Sequence, residues 1–374
     1  MKSVDLLIVG AGFYGATIAE RAAQTGLKCH VIDRRSHIGG NAYSEIDKES
    51  GIEIHRYGAH LFHTSNDVVW NYLKQFTSFT NYQHRVFTKY QNQVFAMPIN
   101  MATICNYFGR YMTPDEAKNL IQTQSAELGG KIPTNLEEKA ISLIGRPLYE
   151  AFVRGYTLKQ WQTDPTELPE HIITRLPVRY TFDNRYFNDH FEGLPVKGYT
   201  AIFEQMLDHP NIRVDLNLDY FDVKSEIKAR KTIYTGPIDR FFDYRFGELG
   251  WRTIDFKWER INADDFQGTS VMNYADEDVP YTRIIEFKHF RPDIKVKDGQ
   301  SLIVKEYSRF ASNNDEPYYP IGTEADKKRY LEYKKLAEKT SDVHFGGRLG
   351  TYHYLDMHQA IAMALRDFGQ LFQN

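Results

Sequence analysis

Cysteine is nearly missing from this chain: Cys29 and Cys105 are the only two in 374 residues. Their spacing fits neither a metal site nor a disulfide framework, so both are expected as buried free thiols, one in a strand and one in a helix. No apolar run approaches the ~18 residues that a membrane span needs. The opening residues MKSVD lead straight into a strand, without the apolar stretch and small-residue cleavage site of a signal peptide, and the cytoplasm is the compartment expected. Excess positive charge is missing too. With 46 basic and 49 acidic residues the net charge is -3, which leaves no overall field to recruit nucleic acid or an anionic membrane. Any anion site has to be local. Internal repeats and low-complexity linkers are also lacking, which favours interleaved domains over a string of separate ones.

Aromatic residues, by contrast, are plentiful, with 25 Tyr and 24 Phe. A phenol offers both a stacking face and a hydroxyl, which suits a polar aromatic ligand, although core packing accounts for most such residues. The 42% hydrophobic and 25% charged content is that of a globular protein able to bury a large core.

The first chemical signal is local. Val4 to Val9 is a short apolar run, Gly10-Ala11-Gly12-Phe13-Tyr14-Gly15 follows, and Ala16, Ile18, Ala19, Ala22 and Ala23 give a small-residue helix face. Lys28 to Ile32 reads as a second strand closed by Asp33. In such a βαβ unit Gly10 permits the turn, Gly12 lets a pyrophosphate reach the backbone and Gly15 lets helix and strand pack closely. The helix amino terminus supplies anion affinity without a cationic side chain, and Asp33 stands where a ribose-binding carboxylate is required. The segment after Asp33 brings Gly39 and Gly40 past the second strand, and Gly346-Gly347-Arg348 precedes a closing helix. An ordinary turn is the rival reading of the first pair. Together the two stretches resemble the glycine contacts of the glutathione-reductase-type flavoproteins, which selects FAD over a nicotinamide cofactor.

Helical signals run from about Asn100 to Gln160. Thr113-Pro114-Asp115-Glu116 and Thr134 to Glu137 read as capping boxes, and Gly145 and Pro147 should interrupt the second of these helices. Val86 to Phe95, Val178 to Phe187, Val271 to Phe287 and Leu302 to Phe310 read as strands of a second sheet. The expected fold is α/β, with a discontinuous Rossmann-type FAD-binding domain (1–78, 197–243 and 322–374), a helical domain (100–175) and an antiparallel β-sheet domain (79–99, 176–196 and 244–321).

Longer motifs go beyond a cofactor class. HIGGNAY at 37–43, YGAHLFHT at 57–64, GYTLKQW at 155–161, LPVRYTFDNRYF at 176–187, VPYTRIIE at 279–286, KEYSR at 305–309, EPYYP at 316–320 and GGRLGTYHYLDMH at 346–358 together resemble the bacterial UDP-galactopyranose mutases over nearly the whole chain. The resemblance implies an isomerase that interconverts UDP-galactopyranose and UDP-galactofuranose with reduced FAD, in the service of cell-surface polysaccharide synthesis, and a homodimer. It implies that flavin N5 attacks the anomeric carbon, UDP leaves, the sugar opens to a flavin iminium, and the O4 hydroxyl closes the smaller ring. A flavin oxidoreductase of the amine-oxidase type and a redox-inert nucleotide-sugar binding protein are the alternatives.

The same resemblance distributes roles. Gly10, Gly12, Phe13, Gly15, Asp33, Arg34, Gly39, Gly40, Asn41, His60, Gly347, Arg348, Asp356 and Met357 would hold the cofactor. Arg175 and Arg283 would clamp the diphosphate, since a guanidinium fork matches phosphate oxygens. Tyr319 and Tyr354 would reach the diphosphate, and Phe152, Tyr186 and Asn273 the uracil. Tyr156, Thr157 and Trp161 would surround the sugar, His63 would serve the N5 proton, and Arg252 and Glu306 complete the pocket. Arg252 also reads as structural, and Glu306 as half of an ion pair. No metal is expected, because the His60/His63 pair shows no third ligand at suitable spacing. Gln162 stands where the family usually has glycine.

Overall fold

Val4–Val9 forms strand β1, Phe13–Gln24 helix α1 and Cys29–Asp33 strand β2. In this computed structural model, residues 4–173, 178–312 and 315–372 are described. β1 lies between β2 and the strand Ala229–Tyr234, with Ile212–Leu216 beyond β2 and Val343–Phe345 at the other edge, all parallel. Every residue of β2 is buried, as expected of a parallel strand covered on both faces. The alanine face of α1 lets the closing helix Met357–Phe372 approach, and Ile361, Ala364 and Phe368 fill the same core as Ala16, Ala19 and Ala22. Cys29 is buried in β2, and Cys105 is half-buried in the helix Met101–Tyr107.

The second sheet runs in the order Tyr319–Pro320, Trp251–Ile261, Ser301–Phe310, Arg283–Glu286, Val271–Tyr274, Val86–Tyr90, Gln93–Met97. Its pairings are antiparallel except for Val271–Tyr274 beside Val86–Tyr90, which run parallel. Among the described residues no helix is long and apolar enough to cross a membrane.

The helical region begins as read: Thr113 and Glu116 close a reciprocal capping box with Pro114 in the first turn. The next cap lies one residue later than expected. Asn135, not Thr134, accepts from the Glu138 amide, while Thr134 binds the Glu138 carboxylate. Gly145, at φ +73°, breaks the helix Leu136–Tyr149 as anticipated. A π-turn, Glu150–Arg154, then leads into the helix Gly155–Trp161.

One expected strand does not form. Residues 178–187 are irregular, because the Arg179 guanidinium donates to the carbonyls of Asp183, Arg185 and Tyr186. The segment thus curls around a side chain instead of offering its carbonyls to a ladder.

Candidate active site

A cleft of about 530 Å³ opens at the carboxyl ends of the parallel strands and is closed on its far side by the second sheet. Ligands of open parallel sheets bind at this end. β1 ends there in Val9 and Gly10, β2 in Asp33, and the strand Ala229–Tyr234 in Tyr234 and Thr235.

The sequence makes this end receptive to an anion. Gly12 is the N-cap of α1 and supplies no side-chain cap, and no acidic residue occupies the first turn. The unsatisfied amides of that turn therefore remain for a ligand. A Cβ on Gly15 would lie 2.0 Å from the Gly10 carbonyl oxygen, so only glycine lets helix and turn pack. The second glycine pair meets the first turn directly: Gly39 N donates to Ala11 O at 2.9 Å, and a Cβ on Gly40, at φ +56°, would stand 3.2 Å from Gly12 Cα. Asp33 accepts from the amides of Ala11 (2.8 Å) and Arg35 (2.9 Å) and lines the cleft. At the other rim Gly346 leaves room for the Tyr14 ring, whose hydroxyl donates to Asp367 at 2.7 Å.

His60 and His63 have separate tasks. His60 Nδ1 donates to Gly58 O at 2.8 Å, and burial lowers its pKa to about 4, so the ring is neutral. His63 is stacked on Phe187 with centroids 3.6 Å apart and bonds Asp189 through Nδ1 at 2.7 Å. The structure brings Asp356 and His358 to His63, with ligand-capable atoms within 4.8 Å of one another, and leaves His60 out of that cluster.

Across the cleft a row of side chains crosses the second sheet. Asn273 is opposite Arg283, and Arg283 opposite Glu306, on successive strands. Cross-strand partners share a face, and all three line the cleft. Arg283 Nε lies 2.8 Å from Glu306 Oε2. Burial opposes the charge of Arg283, and the Glu306 carboxylate more than offsets it, so its pKa lies above the ordinary value. Asn273 Oδ1 is buried without a hydrogen-bond partner among the described residues, and the Arg283 Nε–H, though paired in charge with Glu306, does not meet its carboxylate in hydrogen-bond geometry. Such groups are costly unless something else satisfies them. Tyr156, Tyr186, Tyr319 and Tyr354 surround this row, with the Tyr319 and Tyr354 rings stacked 5.7 Å apart.

Phe13, Arg34, Asn41, Gly347, Arg348 and Met357 also line the cleft. Arg348 donates to the carbonyls of Pro317 (2.8 Å) and Tyr318, and burial lowers its pKa. Four of the expected residues stand outside the lining. Phe152 packs in the helical core against Phe95 and Tyr107, Thr157 is buried, and Trp161 borders that core. Arg252 is fully buried with its Nε on Gln160 O (3.1 Å), its Nη2 on Ser308 Oγ (3.2 Å) and its Nη1 on Gln162 Oε1 (3.3 Å). It caps the end of the helix Gly155–Trp161 at the left-handed Gln162, where a cation also complements the helix dipole. Arg175 lies outside the described residues.

Further residues of the cleft have no role assigned from the sequence. Arg35 binds Glu316 (2.8 Å) and Asn41 (2.8 Å) and lies 4.2 Å over the Tyr57 ring. Arg35 and Glu316 sit beside or within segments already singled out. The strip Leu218 to Phe221 had no signal, and tertiary hydrogen bonds place it: Leu218 N donates to Asp33 O and Asn217 N to Arg35 O, both at 2.9 Å.

The sequence profile of UDP-galactopyranose mutase matches residues 151–354, and that of an NAD(P)-binding Rossmann-like domain matches residues 8–76. A protein named probable UDP-galactopyranose mutase from Klebsiella pneumoniae is 44% identical over 98% of this chain and 94% of its own length. The chain belongs to the UDP-galactopyranose mutase family. An Escherichia coli protein named dTDP-fucopyranose mutase is 40% identical, over 96% of each chain. The crystal structure of a reduced UDP-galactopyranose mutase superposes with a TM-score of 0.73 at 14% identity, covering 99% of this chain and 96% of that one, and shares its fold.

The cofactor of this mutase is FAD, and the cleft fits it. The uncapped α1 terminus and the bare backbone at Gly12 and Gly40 suit the pyrophosphate, and Asp33 a ribose.

Proposed function

We propose that the protein interconverts UDP-galactopyranose and UDP-galactofuranose with reduced FAD. The observation that carries this reading is the Asn273, Arg283 and Glu306 row facing the glycine cradle across one cleft, in a chain of the mutase family. Reduced FAD supplies a nucleophilic nitrogen for the anomeric carbon, a change of ring size needing no net oxidation.

The protein's part is to hold the substrate and manage charge. Arg283, its buried charge balanced by Glu306, receives the diphosphate as the glycosyl bond breaks. Arg175 is its proposed partner from the other side. Tyr319 and Tyr354 donate hydroxyls to the same phosphates, Tyr186 offers an aromatic face to the base, and the unpartnered Asn273 Oδ1 accepts from its edge. Tyr156 lies against the sugar, while Phe152, Thr157, Trp161 and Arg252 shape that wall from behind the lining. His63, oriented by Asp189, serves the proton at the flavin. A homodimer working in the cytoplasm, for cell-surface polysaccharide synthesis, completes the reading.

The dTDP-fucopyranose mutase relative names the second substrate to try. Purified protein is incubated with UDP-galactofuranose or dTDP-fucofuranose, with and without dithionite, and the pyranose is followed by chromatography. Conversion of the UDP sugar only under reduction supports the proposal. Preference for the dTDP sugar reassigns the substrate, and flavin reduced stoichiometrically by substrate points to the oxidase alternative.

A further inference from the structure

The helix Gly155–Trp161 carries Tyr156 to the cleft, and Lys159 ties it to the strand that carries Asn273. Lys159 Nζ donates to the main-chain oxygens of Tyr274 and Asp276, both at 2.7 Å. Tyr274 ends the strand Val271–Tyr274, whose Asn273 lines the same cleft. One turn earlier, Gly155 comes so close to this junction that a Cβ would lie 2.1 Å from the Ala275 oxygen. The helix bearing Tyr156 and the strand bearing Asn273, two walls of the cleft, are therefore joined by the Lys159 ammonium beside the close Gly155 contact.

The helix needs such a fastening. It continues the helical backbone of residues 146–154 through the π-turn at Glu150–Arg154, downstream of the Gly145 break, and a π-turn rotates the faces of the turns that follow it. Its far end is held by Arg252 and Ser308, both donating to Gln160 O. Lys159 has no carboxylate within ion-pair distance among the described residues, and both of its bonds go to main chain. A lysine committed in this way acts as a cross-link between two elements.

We propose that Lys159 is a positioning residue for the mutase reaction, holding Tyr156 and Asn273 in fixed relation across the helix–strand junction. This role rests on the mutase reading above. Burial lowers the Lys159 pKa to about 8, opposed by Asp276, Asp278 and Glu277 on the adjoining turn. Arg154, paired with Glu277 and Glu150, and Lys89, over the Tyr274 ring, are the other charged groups facing this junction. The ammonium therefore loses a proton in mild alkali, and the cross-link weakens there.

The test compares wild type, Lys159→Met, and Lys159→Cys before and after alkylation with bromoethylamine, which rebuilds a lysine-like amine. Alkylated wild type controls for Cys29 and Cys105. UDP-galactofuranose turnover under dithionite is measured against pH, beside FAD content and Tm. Lys159→Met is expected to keep FAD and raise KM roughly tenfold with a smaller change in kcat. Alkylation of Lys159→Cys is expected to restore KM and move the alkaline limb of kcat/KM to lower pH, because a thioether-bearing amine is more acidic. An unchanged KM in Lys159→Met overturns the proposal. So does loss of FAD or Tm that alkylation does not rescue, which assigns Lys159 to folding alone. Wild type without turnover overturns the mutase reading itself and this role with it, a failure visible before any variant is compared.

Discussion

Arg283 and Glu306 occupy partner positions on adjacent antiparallel strands, and their Nε and Oε2 atoms stand 2.8 Å apart with the carboxylate enclosed. The pair holds a cation where burial opposes the guanidinium charge, and the Glu306 carboxylate offsets that cost. A diphosphate entering the cleft then competes with Glu306 for a group already oriented and dehydrated.

Replacing Glu306 by Gln keeps the shape and removes the counter-charge. The free protein is expected to lose about 1–3 kcal/mol of stability, as a buried cation is left unpaired. UDP should restore more of it than it adds to wild type. Thermal melts with and without UDP check this, and equal UDP-induced rises in Tm would show that Glu306 does not tune Arg283.

Arg283→Ala, and separately Arg175→Ala, should lower kcat on the order of a hundredfold or more with FAD still bound. Turnover assays read against visible flavin absorbance separate this from a structural effect, because loss of FAD in either variant assigns that arginine to the cofactor site.

Gly40→Ala should yield folded protein with little FAD. The new Cβ would meet Gly12 Cα at 3.2 Å in the space between the two glycine turns, at a φ of +56° that costs a non-glycine residue on the order of 1 kcal/mol. Gly15→Ala is more severe, with Cβ 2.0 Å from the Gly10 oxygen, and is expected to fail in folding. The flavin-to-protein absorbance ratio and circular dichroism distinguish the two outcomes.

Acid should destabilise the fold before its carboxylates titrate. Burial lowers the pKa of both His55 and His84 from 6.5 to about 3. Each takes up a proton more readily when unfolded, so the stability each contributes is full above about pH 6.5 and falls as pH drops towards the folded value. The slope is ~1.4 kcal/mol per pH unit for each histidine. Urea midpoints from pH 7 to 5 measure it, and His55→Asn should reduce the slope by one proton. A slope unchanged in that variant would remove His55 from the account.

The βαβ unit was legible because it is local: an apolar run, a glycine turn with an uncapped helix and an acid all fall within 33 residues. The helix break at Gly145 was legible for the same reason. The row of Asn273, Arg283 and Glu306 was visible only as separate motifs, since strand register alone sets them abreast. Residues 178–187 have the aromatic composition of a strand, but Arg179 claims their carbonyls, a competition that composition does not record. Arg252 shows the limit from another side. Nothing in GWRTIDF distinguishes an arginine aimed at substrate from one aimed at a helix end, and only the carbonyl of Gln160 decides where this one points.

The cleft is assembled from strand ends at Val9, Asp33 and Tyr234 and from residues 347–360 near the other end of the chain. The two rims are joined by folding alone, so unseating residues 347–360 would open the site while leaving the glycine turn as it is.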